Sequence, residues 1–177
     1  MPKHPFQRLS SPSRVASLFL HSGGIASFAY SFHFLTTWDT PLSRAYGWHF
    51  QFLTIIGLAA SLVSFTFGAL ADLTLNRTLF QLKNAVSVVA TPLEVVISIL
   101  YWGITAVDKR LVVPEGFELA MHIDVGFHLA PAVLLTLDLL LFSPPWTIPA
   151  YGVMALSTVI GFSYWYWVEL CFSHNGW

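Results

Sequence analysis

Apolar residues in this sequence run in long stretches that short polar turns separate. A helix needs about 20 mostly apolar residues to cross the hydrocarbon core of a bilayer, and five stretches reach that length. Because the turns between them are short, consecutive helices are expected to run antiparallel. The pattern predicts an all-α fold, a polytopic transmembrane helix bundle of about five helices that forms one domain over residues 1–177. The predicted helices are 15–36, 49–71, 84–107, 119–142 and 148–172.

The composition leaves few charges to cover a water-facing surface. Hydrophobic residues make up 55% of the chain and charged residues 10%, against roughly 25% charged residues in a typical soluble domain. The net charge of -1 excludes the broad basic surface that nucleic-acid binding needs. We therefore expect a lipid bilayer around the chain and no nucleic-acid partner. Cys171 is the only cysteine, so one chain cannot form a disulfide or a thiolate metal cluster.

The distribution of basic residues predicts the orientation of the chain, because cytoplasmic loops carry an excess of Lys and Arg. More of these residues fall on the side of the N-terminus, which we therefore place in the cytoplasm. The sequon that begins at Asn76 would then be unused. The compartment stays open between the endoplasmic reticulum or another endomembrane and the plasma membrane. The N-terminal side carries Lys3, Arg8, Arg14, Arg77 and Lys83, and the other side Arg44, Lys109 and Arg110.

Ionisable residues inside the predicted spans concentrate on the fourth helix. Such groups are costly in hydrocarbon and usually face the bundle interior, which makes them candidates for function. The spacing of four, three, four and three residues places them on one helix face, and we predict that this face contacts protein. The stripe consists of Asp124, His128, Pro131, Leu135 and Asp138. We expect Pro131 to weaken the helical hydrogen bonds beside His128.

Small and hydroxyl-bearing residues form a similar stripe on the second helix. Stripes of this kind let membrane helices approach closely, so we expect the stripe to point into the bundle. It consists of Thr54, Gly57, Ser61, Ser64 and Gly68.

Thr54, His128 and Asp124 are the predicted catalytic residues. With a rise of about 1.5 Å per residue, Thr54 lies about 8 Å and His128 about 14 Å below the same membrane face. A hydroxyl nucleophile needs a neighbouring base, and the base often needs an acceptor that orients it. Asp124 lies one helical turn before His128 and could orient the imidazole. The sequence does not indicate which groups stabilise an oxyanion; His49, Tyr101 and Trp102 are the candidate donors.

Each polar residue also has a structural interpretation. A threonine in a membrane helix commonly donates to the carbonyl one turn back, here that of Phe50. His128 could form a hydrogen bond between helices, and Asp138 could reach the lipid headgroups. Glu94, in the middle of the third span, must be paired or protonated, and the sequence assigns it no role.

Four segments resemble a known family in their order and spacing. They are residues 46–54 (YGWHFQFLT), 107–114 (VDKRLVVP), 126–128 (GFH) and the closing 165–177 (WYWVELCFSHNGW). The succession resembles the androgen-induced and androgen-dependent TFPI-regulating membrane proteins. That family consists of multi-pass threonine hydrolases that cleave fatty acid esters of hydroxy fatty acids. The resemblance places its nucleophile on Thr54 and its catalytic histidine on His128, whereas Asp124 as the orienting residue is our inference from spacing.

The resemblance also implies about six helices, of which this sequence has five. We interpret the sequence as a truncated or alternatively spliced form that lacks the last helix. The resemblance implies a lipid ester as the substrate and no cofactor. It leaves the acyl-chain preference and the oligomeric state open.

Two other classes of function remain open at this stage. A haem could be ligated by two imidazoles on different helices. A non-catalytic membrane protein or small transporter could use Glu94 and Asp138 along its pathway. The histidines considered for haem are His33, His49, His122, His128 and His174.

Overall fold

A computed structural model of the protein describes residues 13–113, 117–146 and 148–176. Within these ranges every regular element is helical, as predicted. Six helices follow one another: α1 (Arg14–Thr37), α2 (Leu53–Thr74), α3 (Arg77–Val107), α4 (Met121–His128), α5 (Ala130–Leu141) and α6 (Ala150–Asn175). Short 3-10 turns at Pro41–Arg44, Trp48–Gln51 and Lys109–Leu111 lie between them. The sequence interpretations that involve Lys3, Arg8, Pro114, Thr147 and Trp177 fall outside the described residues.

The turn between α2 and α3 is shorter than predicted. Leu75 adopts a left-handed conformation (φ 57°) and ends α2. The side chain of Asn76 then accepts hydrogen bonds from the backbone N–H groups of Thr78 and Leu79, which caps α3. Consequently α3 begins at Arg77, and the predicted start at residue 84 was wrong. Lys83, which the sequence placed in a polar loop, belongs to α3 and is buried.

The predicted fourth helix is broken beside the candidate histidine. One helix was expected over 119–142, but α4 ends at His128 and α5 begins at Ala130, with a bend of 42° between them. Pro131 explains the break, because it has no N–H and its ring clashes with the carbonyl one turn back. The bend makes His128 the last residue of α4.

Three helices are long and apolar enough to cross a membrane, namely α1, α2 and α3. The bent pair of α4 and α5 is a fourth candidate when it is counted as one span. The fifth predicted span corresponds to α6, which has 26 residues. Among the described residues, α6 is not one of the helices that are apolar enough to be candidate membrane spans. A run of tyrosine and tryptophan at 164–167, followed by Glu169, lowers the hydropathy of α6.

The two predicted stripes face the bundle interior. Gly57, Ser61, Ser64 and Gly68 of α2 are buried, as are Asp124, Pro131, Leu135 and Asp138 of α4 and α5. Gly68 allows a close approach: a Cβ atom at this position would lie 2.5 Å from Nε2 of His21. The small residues therefore bring α2 against its neighbours, as predicted. The core that results contains Phe28, Leu35, Ile55, Leu58, Phe65, Ala90, Ile123, Phe127 and Leu135.

A buried polar network joins four helices near the start of α1. Lys83 Nζ lies 2.7 Å from Asp138 Oδ2 and donates to the hydroxyl of Ser143 at 2.8 Å. His21 connects this pair to α2, with one ring nitrogen 3.1 Å from Asp138 and the other 2.7 Å from Asp72. The network therefore holds α1, α2, α3 and α5 together, and Asp138 contacts protein at this end of the bundle.

Candidate active site

The predicted catalytic residues lie at the end of the bundle where α2 begins and α4 ends. A cavity of about 630 Å³ opens there, and Thr54 and His128 both line it. Most of its wall is apolar or aromatic, with few polar groups, which is typical of a site for an apolar ligand. The wall consists of Leu35, Trp38, Pro41, Leu42, His49, Phe52, Thr54, Ile55, Tyr101, Val112, Val113, Phe117, Leu119, Phe127 and His128.

Thr54 is the second residue of α2, and its hydroxyl does not make the bond to its own helix that several other threonines make. Thr66, Thr74 and Thr158 donate their hydroxyl hydrogen bonds to the carbonyl one turn back. The corresponding carbonyl for Thr54 is that of Phe50, which instead accepts from the indole of Trp167 at 2.9 Å. Within the described residues the Thr54 hydroxyl has no hydrogen-bond partner. The bond to the Phe50 carbonyl that the sequence left open is therefore absent.

The imidazole of His128 is held by Asp124. Nδ1 of His128 lies 2.8 Å from Oδ1 of Asp124, and the side chains are 13% and 9% exposed. A carboxylate in this position accepts from Nδ1–H, which leaves Nε2 without its proton and able to accept one. The geometry gives the imidazole a fixed tautomer on the wall of the cavity that Thr54 also lines.

Tyr101 of α3 supports the same pair. Its ring stacks on the imidazole of His128, with centroids 3.5 Å apart and planes 3° from parallel. Its hydroxyl interacts with the carboxylate of Asp124. The sequence suggested Tyr101 only as an oxyanion donor, since residues on separate helices carry no spacing signal for such a stack. In the structure Tyr101 stacks on His128, and its hydroxyl lies close enough to Asp124 for an electrostatic interaction.

The turn before α2 is fixed by the far end of the chain. Tyr164 of α6 donates from its hydroxyl to the carbonyl of Gln51 at 3.0 Å, and the same hydroxyl accepts from the N–H of Leu53 at 3.1 Å. Gly47 has a φ of 85°, and a Cβ there would lie 2.6 Å from Sγ of Cys171. A glycine is therefore needed where α6 crosses this turn, and α6 positions the start of the helix that carries Thr54.

Glu94 and three of the histidines considered for haem lie outside the cavity wall. Glu94 packs beside Gly57 and Ser61 in the bundle interior, with Oε1 3.4 Å from the Ser61 hydroxyl. The histidines considered for haem separate into two sets: His49 and His128 line the cavity, whereas His33, His122 and His174 are exposed. Among the described residues, no group of three or more His, Cys, Asp and Glu side chains is placed to hold a metal ion.

Comparison with known proteins identifies the family to which these features belong. Residues 16–177 match the family described as FAR-17a/AIG1-like protein. The chain belongs to the FAR-17a/AIG1-like family. This finding confirms the resemblance to the androgen-induced proteins. The chain is also 36% identical over 168 residues to a UPF0641 membrane protein of Schizosaccharomyces pombe, an alignment that covers 93% of this chain and 75% of that relative. No solved structure matches the chain.

Three of the four segments that resemble the FAR-17a/AIG1-like family line the cavity, and the closing segment packs against the first of them. Residues 46–54 form the turn before α2 and its first two residues, and residues 126–128 end α4. The described part of the closing segment belongs to α6 and contacts the first one: Asn175 and Tyr46 exchange two hydrogen bonds, of 2.9 Å and 3.1 Å. Membership of the family and the bundle of apolar helices together establish a membrane protein.

Proposed function

We propose that this protein is an integral membrane hydrolase of lipid esters, with Thr54 as the nucleophile and His128 as the general base. One observation carries the proposal: the Thr54 hydroxyl, free of the usual bond to its own helix, lines the same cavity as an imidazole that a carboxylate orients. A hydroxyl nucleophile, a base and an orienting acceptor are the three parts that covalent ester hydrolysis requires.

The reaction would proceed in two halves. Oγ1 of Thr54 attacks the ester carbonyl while Nε2 of His128 takes the hydroxyl proton. His128 then gives this proton to the leaving alcohol, and an acyl group remains on Thr54. In the second half a water molecule loses a proton to His128 and attacks the acyl carbonyl. The bond to Oγ1 of Thr54 then breaks, the acid is released, and Oγ1 takes the proton back from His128. Asp124 keeps the imidazole in the tautomer that both halves need and stabilises the imidazolium that forms.

The cavity supports a lipid as the substrate. Its wall is mainly apolar, and the helices around it are apolar enough to lie in a bilayer. The resemblance to the androgen-induced proteins supports a narrower class of substrate, the fatty acid esters of hydroxy fatty acids. An ester of this kind dissolves in the membrane and would enter the cavity sideways from the bilayer. We place the N-terminus in the cytoplasm and the protein in an endomembrane or the plasma membrane.

Fluorophosphonate labelling of the protein in detergent micelles tests the proposal. The probe transfers its phosphonyl group to an activated hydroxyl, and mass spectrometry of the labelled peptide identifies the residue. We expect the label on Thr54 in the wild type and no label in Thr54→Ala or His128→Ala. Hydrolysis of a fatty acid ester of a hydroxy fatty acid should be lost in the same two variants.

Thr66→Ala is the matched control. Thr66 lies on the same helix, but its hydroxyl donates to the Leu62 carbonyl at 2.7 Å and is exposed. This variant should label and turn over like the wild type. Thr54→Ala that folds and still hydrolyses the ester at the normal rate would rule out the proposed mechanism.

A further inference from the structure

Ester hydrolysis at Thr54 would place negative charge on the carbonyl oxygen of the substrate. Preorganised hydrogen-bond donors that face this oxygen are usually the largest single contribution to the rate of acyl transfer. The three side chains suggested by the sequence as donors were His49, Tyr101 and Trp102. The structure allows a choice among them.

Two of the three candidates are not available for this role. The Tyr101 hydroxyl interacts with Asp124, so it serves the orienting residue. Trp102 has a buried indole N–H without a partner among the described residues, but it does not belong to the cavity wall. His49 does belong to that wall, together with Thr54 and His128.

His49 is buried and rigidly held, yet one of its ring nitrogens lacks a partner. Its ring stacks on Trp38, with centroids 5.9 Å apart and planes 9° from parallel, and contacts Trp48 edge-on. The residue is 1% exposed, and Nε2 has no hydrogen-bond partner in the described part of the chain. A buried polar atom without a partner needs an explanation, and at the cavity wall a hydrogen bond to a ligand supplies one.

The charge state of His49 suits a donor. The residue precedes α2 and lies outside the candidate spans. Burial lowers the pKa of His49 below its ordinary value, which keeps the ring neutral at pH 7. A neutral imidazole carries one N–H group and can donate it without releasing a proton.

A second donor lies in the backbone of the nucleophile itself. Thr54 is the second residue of α2, and the first N–H groups of a helix have no acceptor within that helix. In a longer helix the Thr54 N–H would donate to the carbonyl of Phe50 or Gln51. Here these two carbonyls accept hydrogen bonds from Trp167 and Tyr164 of α6, respectively. Among the described residues no backbone carbonyl accepts from the Thr54 N–H, which leaves it available beside its own hydroxyl.

We propose that the imidazole N–H of His49 and the backbone N–H of Thr54 form the oxyanion hole of this enzyme, an inference that rests on the proposed function. When Oγ1 of Thr54 bonds to the ester carbon, the C=O electron pair moves onto the carbonyl oxygen. The two N–H groups donate hydrogen bonds to that oxygen, and both keep their protons. When the alcohol leaves, the electron pair returns to the carbonyl, and the acyl group remains on Thr54.

His49→Phe and His49→Gln separate this role from packing. Phenylalanine keeps an aromatic ring between Trp38 and Trp48 but removes the donor, whereas glutamine keeps an N–H donor and loses the ring. Loss of one oxyanion donor costs about 10²- to 10³-fold in kcat. We expect this loss in His49→Phe with little change in KM, and a parallel fall in the rate of phosphonylation of Thr54. His49→Gln should recover at least about tenfold of the lost kcat.

Thermal unfolding in detergent checks that both variants fold. His49→Phe that folds and keeps kcat within about threefold of the wild type would overturn the inference. A variant that loses activity only through a raised KM would overturn it as well, because the residue would then bind substrate and transition state equally. Thr54→Ala, run beside them, separates the two proposals: if it retains activity, the proposed function itself fails, whatever His49 does.

Discussion

Lys83 Nζ of α3 lies 2.7 Å from Asp138 Oδ2 of α5, and each side chain is only 1% exposed. The two residues are 55 positions apart in the sequence. They join α3 to α5, a contact that the hydrophobic pattern along the chain does not predict. Asp138 also contacts His21 of α1 at 3.1 Å. These contacts lie near the beginning of α1, whereas the cavity lies where α1 ends. Within the described residues, a buried polar network therefore lies at one end of the bundle and the Asp124–His128 pair at the other.

Replacing one member of the Lys83–Asp138 pair should destabilise the bundle. Removal of one partner from a buried ion pair leaves the other charge uncompensated and costs about 3–5 kcal/mol. We expect Lys83→Met and Asp138→Asn each to lower the midpoint of thermal unfolding in detergent strongly, and the double variant to be less unstable than the sum of the two. Strict additivity of the two losses, measured in a double-mutant cycle, would contradict a direct interaction.

Gly68→Ala should also destabilise the protein, because α2 and His21 are already in contact at this position. The added Cβ would lie 2.5–2.7 Å from three atoms of the imidazole, which Asp72 and Asp138 hold in place. Overpacking of this kind costs about 1–3 kcal/mol. Gly103→Ala in α3 is the control, since a Cβ there has nothing within 4 Å. An equal unfolding temperature for both variants would show that the close contact is unimportant.

The helical class and the two buried stripes are confirmed, because each depends on periodicity along the chain, whereas the roles of Thr54, His128 and Asp124 stay a prediction. The sequence did not predict that Lys83 is buried. A hydropathy window treats a polar helical turn such as 77–83 as a loop, and the carboxylate that compensates Lys83 lies on another helix. The stack of Tyr101 on His128 was missed for the same reason, since contacts between helices leave no trace in the local pattern.

The break at Leu129 shows a different limit. Pro131 was expected to weaken the helix, but the sequence does not say whether a proline bends a span or divides it. Here the backbone turns by 42°, so that α4 and α5 are separate helices with Asp124 and His128 on the first. The spacing of four residues between Asp124 and His128 is kept on one helix because both residues precede the break.

Asp124→Asn should reduce the rate of hydrolysis without unfolding the protein. The amide fits the same space but no longer favours the tautomer in which Nδ1 of His128 carries the proton. The corresponding substitution in serine proteases lowers kcat about 10⁴-fold, and we expect a loss of about 10²- to 10⁴-fold here. Tyr101→Phe is the companion variant: it keeps the ring stack and removes only the hydroxyl on Asp124, so kcat should fall by no more than about tenfold. Wild-type kcat in Asp124→Asn would exclude the orienting role.

Cysteine accessibility tests the predicted orientation of the chain. Leu75 and Leu111 lie beyond opposite ends of α3 and are 72% and 70% exposed. In a Cys171→Ala background, Leu75→Cys should react with a membrane-impermeant maleimide in sealed, cytoplasmic-side-out microsomes. Leu111→Cys should react only after detergent opens the vesicles. The reverse pattern would place the N-terminus on the luminal side and make the Asn76 sequon accessible to glycosylation.

Glu94→Gln distinguishes the hydrolase from a transporter. Glu94 is fully buried, its Oε2 has no partner among the described residues, and it lies outside the wall of the catalytic cavity. A carboxyl group that carries ions or protons along a pathway would lose that ability as an amide. A hydrolase that uses Thr54 and His128 does not need it, so ester turnover in micelles should stay within about threefold of the wild type. Two results together would favour transport. Glu94→Gln would abolish an ion- or substrate-dependent flux into liposomes, and the wild type would show no ester hydrolysis. Hydrolysis that persists in Glu94→Gln and disappears in Thr54→Ala would assign the chemistry to the cavity between α2 and α4.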